Sequence, residues 1–124
     1  MVARAWLHHE HVAERVRLLV GNEPCAYREA LAGALQLLRP ELDVRLVAPE
    51  ELDGAVRELR PHLVVCSRLS RAIRSGPVVW VLLYPDGQGQ AVLSLAGRRT
   101  TTRSVEFAWL LDAVDQTERL LQMS

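Results

Sequence analysis

With 124 residues the chain suits one ordinary domain and is short for two, and a domain of that size buries roughly two-thirds of the surface its unfolded chain exposes. Its 15 cations balance 15 acids, which excludes a protein steered to nucleic acid by its overall field, and its two cysteines make no disulfide framework. Apolar runs such as residues 78–83 stop far short of the roughly 20 residues of a spanning helix, and the first residues lack a secretory leader, so a cytoplasmic location without membrane association is expected.

Residues 1–15 form an N-terminal arm, and 16–124 a single domain. Val16 to Val20 is short, β-branched and apolar, and Gly21-Asn22 closes it, which predicts a first strand. Pro24 suits a first helical turn, and Ala26, Ala30, Leu31, Ala34, Leu35 and Leu38 recur at spacings of three and four until Arg39-Pro40 ends the helix. Val44 to Val47 reads as a second strand. Pro49 and the acids Glu50, Glu51 and Asp53 open a second helix with Leu52, Val56 and Leu59 as its buried stripe.

Pro61 stops that helix, and Leu63-Val64-Val65-Cys66 is apolar on both sides, as a central parallel strand is. Only a short helix fits between Ser67 and Pro77. Val78 to Leu83 is a fourth strand; Pro85-Asp86-Gly87-Gln88-Gly89 then predicts a hairpin loop before an antiparallel strand at residues 91–95. Residues 96–99 turn again into a polar edge strand at 100–103, and Phe107, Leu110, Leu111, Val114 and Leu121 mark a closing amphipathic helix. The fold class is therefore α/β: a flavodoxin-like or receiver-like three-layer sandwich. Its sheet is mainly parallel, in order 2-1-3-4-5, with an antiparallel hairpin edge in the second half.

The segment from Val16 to Leu69 resembles the receiver domain of bacterial response regulators. Leu18-Leu19-Val20-Gly21-Asn22-Glu23-Pro24, Tyr27-Arg28-Glu29-Ala30-Leu31 and Arg60-Pro61-His62-Leu63-Val64-Val65-Cys66-Ser67 follow that family's order of strand, helix start and phosphoacceptor strand. The resemblance implies a phosphorylation rim at Gly21, Asn22, Glu23 and Ser67. Yet Gly21 and Asn22 stand where it implies magnesium-binding acids, leaving only Glu23 nearby, and Ser67 stands where it implies the acceptor Asp. Magnesium needs anionic oxygens, so no cofactor and no metal are expected and the rim reads as vestigial. The chain also has no Lys, and its fourth strand ends in Leu83-Tyr84-Pro85 rather than at a small hydroxyl residue.

In doubly wound sheets ligands gather beyond the carboxyl ends of the strands, which nominates Cys25, Arg68 and Tyr84 as ligand or anion contacts beside that rim. A packed, ligand-free rim is the plainer reading. Cys25 and Cys66 can approach each other there as a redox or metal pair, or serve as inert packing. His8, His9 and His11 look like a metal tract, but on a terminal arm they read as a solvated site.

Charge is uneven along the chain: residues 59–105 hold seven Arg against Asp86 alone. Arg71 and Arg74, with Arg68 three residues before, recur at helical spacing, and Arg98, Arg99 and Arg103 sit on the predicted edge. They form either a solvated face or an interaction surface for phosphate groups or an acidic protein. Phe107, Trp109 and Leu110 extend that surface as a candidate homodimer contact. No aromatics interleave the arginines, so nucleic acid is not an expected partner.

No phosphate loop, nucleophile elbow or zinc-protease motif is present, so catalysis has no support. The expected function is a non-phosphorylatable receiver-like signalling or regulatory module acting through protein–protein interaction. The alternative is a small-ligand-binding or enzymatic flavodoxin-like domain that uses the carboxyl-end rim of the sheet.

Overall fold

A computed structural model describes residues 15–83, 90–103 and 106–123. Residues 1–14 of the expected arm, with its His8, His9 and His11, the loop at 85–89 and Tyr84 lie outside the described residues. In chain order the elements are β1 (Arg17–Gly21), α1 (Cys25–Leu38), β2 (Asp43–Leu46), a single 3-10 turn (Pro49–Glu51) and α2 (Leu52–Leu59). After these come β3 (Leu63–Cys66), α3 (Arg71–Ser75), β4 (Val79–Leu83), β5 (Ala91–Leu95), β6 (Arg98–Thr102) and α4 (Phe107–Met123).

The six strands form one sheet in the order β2-β1-β3-β4-β5-β6, parallel from β2 through β4 and antiparallel from β4 through β6. This is the predicted α/β architecture, with the polar edge strand as its sixth strand. Period-two alternation divides the apolar residues between two layers of helix. Leu18, Val20, Leu63, Val65, Val81 and Leu93 share a core with Leu35 of α1 and Leu110 and Val114 of α4. Leu19, Val64, Cys66, Trp80 and Leu82 share the other with Leu52 of α2 and Ile73 of α3. Wholly buried leucines such as Leu35 and Leu63 each contribute about 2 kcal/mol of apolar burial.

Local chemistry sets the element ends. Arg60 closes α2 in the left-handed conformation at φ 50°, its N–H bonded to the Val56 carbonyl, and Pro61 prevents the helix from continuing. The Nε and Nη2 of Arg17 then hold the Arg60 carbonyl at 3.1 and 2.8 Å, pinning this turn to the start of β1. The eleven residues from Ser67 to Pro77 leave room for five helical residues, and the Ser70 hydroxyl caps them by accepting from the Ile73 N–H at 3.2 Å. Arg39 spans from the end of α1 to Asp115 of α4 in a bidentate pair, with both N–O distances 2.9 Å.

The β5–β6 turn differs from expectation. Ala96 and Gly97 both have positive φ, 52° and 83°, which makes a tight two-residue hairpin and pairs Leu95 with Arg98. The edge strand therefore begins at Arg98 rather than Thr100.

Candidate functional site

The carboxyl rim of the parallel strands follows from register. Gly21 pairs with Cys66, so the residues after each, Asn22 and Ser67, emerge side by side. The Ser67 hydroxyl accepts the Glu23 N–H at 3.0 Å, and Arg28 Nη1 donates to the Asn22 carbonyl at 3.2 Å. The latter bond ties the first turn of α1 back over the β1–α1 loop. Glu23 pairs with Arg68 at 3.4 Å, both largely exposed, an ion pair of little energetic weight.

Two residues close this rim. Gly21 is buried, and a Cβ there would lie 3.2 Å from both terminal methyls of Leu52. Asn22 is fully buried, and among the described residues neither atom of its side-chain amide has a hydrogen-bond partner, an arrangement that costs about 1–3 kcal/mol. A neutral buried amide, a hydroxyl already accepting a bond and one arginine-paired carboxylate do not make a magnesium donor set. The residues therefore do not fit the metal that the receiver resemblance implies.

The cysteines are separated by environment. Cys66 is wholly buried beside Leu19 and Ile73, and that burial pushes its thiol up to about 12. Cys25 is exposed at the start of α1, its thiol 3.5 Å from a Glu29 carboxylate oxygen. Of the two readings for the cysteines, packing fits Cys66, and no disulfide joins it to Cys25: both thiols are free. Among the described residues no cluster of three or more His, Cys, Asp or Glu could hold a metal ion.

The arginines are also divided. Arg68 precedes the Ser70 cap and lies off α3, so the expected three-residue ridge reduces to Arg71 and Arg74, both exposed. Arg98 and Arg99 are consecutive on β6 and so point to opposite faces, and Arg103 follows the strand. Arg99 lies 5.4 Å from the centroid of the Trp80 ring, over a row formed by Trp80, Ser94 and Arg99 on three adjacent strands. Phe107 and Trp109 are half-buried, and Leu110, at 2% exposure, is core rather than surface.

A cleft of about 620 Å³ lies at the opposite end of the sheet. Pro61 and His62 before β3, Val78 before β4, the last turn of α2 and the last turns of α4 converge on it. Sequence reading missed it because its residues are element ends far apart in the chain, joined only by topology. No helix among the described residues is long and apolar enough to cross a membrane. Comparison with protein-family models, with curated proteins and with solved structures finds no match.

Proposed function

We propose that the chain is a receiver-like module without phosphoryl chemistry that acts by binding another protein. What supports the first half is the rim: the acceptor position is a serine hydroxyl engaged with the Glu23 N–H, and the neighbouring position is a glycine packed under Leu52. What supports the second is β6, a five-residue strand at the sheet edge with four exposed residues, two of them arginines. An edge strand carries a row of backbone groups ready to pair with an added strand, and arginines favour an acidic one. The partner is thus a protein presenting an extended acidic segment.

Intact mass after incubation with acetyl phosphate and magnesium tests the first half; a stable phosphoryl adduct at Ser67 would sink it. Titrating an Asp/Glu-rich extended peptide into isotope-labelled protein tests the second. Amide shifts should concentrate on residues 98–103 and weaken in the Arg98→Glu, Arg103→Glu variant. Light scattering at high concentration decides whether a second copy is the partner, and a monomer removes that version.

A further inference from the structure

We propose that the cleft at the amino ends of β3 and β4 binds a monoanionic amphiphile, an aliphatic carboxylate. Its head would sit at Arg57 and Arg60, and its chain against Val78, Val79, Leu120 and Leu121. The inference is independent of the protein partner assigned to β6.

Volume, lining and charge each narrow the ligand. At about 620 Å³ the cleft is the size of an ordinary small-molecule site. Its walls are mostly aliphatic, with Arg57 and Arg60 as the charged lining residues and no Asp or Glu among the described ones. Among the described residues neither arginine side chain makes an ion pair or hydrogen bond, so both guanidiniums can receive a carboxylate. An apolar wall with two unpaired cations complements a ligand with one anionic end.

The helix ends argue against a polyanion. α2, α4 and the short α3 all present their carboxyl ends to the cleft, and the two longer helices each carry about half a negative charge there. Two guanidiniums less these partial charges leave at most about one positive charge, which suits a carboxylate better than a nucleotide or polyphosphate. Arg60 is also fixed in place, since its backbone is held by the Val56 and Arg17 bonds.

The test is a titration of decanoate, below its micelle threshold, into isotope-labelled full-length protein. Saturable one-to-one shifts are expected at Val56, Val78, Val79 and Leu121. Octanoate should bind about 15-fold more weakly, at about fourfold per methylene, and decanol at least about tenfold more weakly than decanoate. Arg57→Gln with Arg60→Asn should remove the preference for decanoate over decanol, asparagine being tolerant of the left-handed backbone at 60. Ala72→Leu, which fills the cleft from α3, should abolish binding of both while leaving the remaining spectrum in place. Non-saturating or scattered shifts, equal binding of decanol, or an unchanged preference in the double arginine variant would overturn the proposal.

Discussion

The Glu23 N–H donates to the Ser67 hydroxyl across 3.0 Å, joining the loop after β1 to the end of β3. A phosphoacceptor must present its oxygen outward beside a metal, whereas this oxygen accepts a bond within the rim. Placing a carboxylate at position 67 alone still provides no magnesium donor set, because Gly21 has no side chain and Asn22 is neutral and buried. The Ser67→Asp variant is therefore expected to gain no phosphoryl group from acetyl phosphate and magnesium, as read by intact mass. Its stability should change by about 1 kcal/mol at most, since an aspartate oxygen can still accept the Glu23 N–H.

The packing of Gly21 against Leu52 leaves little room for a side chain at the first position of the rim. With a Cβ at 3.2 Å from both Leu52 methyls, alanine at 21 makes the buried Leu52 side chain give way slightly, at a cost of about 1 kcal/mol. Aspartate adds the burial of an unpaired carboxyl against the same leucine, so Gly21→Asp should cost about 3 kcal/mol or more in urea denaturation. Gly21→Asp with Leu52→Ala should recover the steric part of that loss only.

The strands and long helices were legible because their apolar residues follow clear patterns: short unbroken runs in Leu18 to Gly21 and Leu63 to Cys66, as strands buried on both faces show, and spacings of three to four in α1 and α4. The composition of the rim was legible too, since Ser67 and Asn22 fall at strand ends. Its closure was not, because the contact of Gly21 with Leu52 joins residues 31 apart. The separation of the two cysteines was hidden for a related reason. Cys66 faces the α2 and α3 layer, whereas Cys25 begins α1 on the other side of the sheet.

The displaced start of β6 yields a direct test. Ala96 holds φ 52°, a conformation that costs an alanine about 1 kcal/mol and that asparagine tolerates. Ala96→Asn gives Asn-Gly, the preferred pair for this hairpin, and should raise the unfolding free energy by about 1 kcal/mol. Equal or lower stability in urea titration would show that the turn adopts another geometry.

Native thiol labelling should distinguish the two cysteines. Cys25 is exposed and should react with a disulfide reagent promptly, while Cys66, buried and held neutral, should react only on unfolding. Because the folded Cys66 thiol is raised to about 12, unfolding exposes a group that ionises more easily. Its contribution to stability is complete below the unfolded thiol value of about 8.5 and is lost progressively as pH rises through 12. Cys66→Ala should flatten that alkaline decline, measured as urea midpoints from pH 8 upward, about, to the limit of reversibility.

The Arg39–Asp115 pair sets the acid side. The hydrogen bonds from Arg39, and secondarily its charge, hold the Asp115 carboxyl below its ordinary value. A depressed carboxylate contributes stability that is present above the unfolded value of about 3.9 and is lost as pH falls through the folded one. Asp115→Asn should therefore be less stable than the parent at neutral pH, with the gap narrowing below about pH 4 and closing once both states are protonated. Because each side chain keeps about a third of its surface exposed, at 30% and 32%, the neutral-pH gap should also shrink in high salt. A gap that is constant across pH would assign the effect to packing between α1 and α4 rather than to charge.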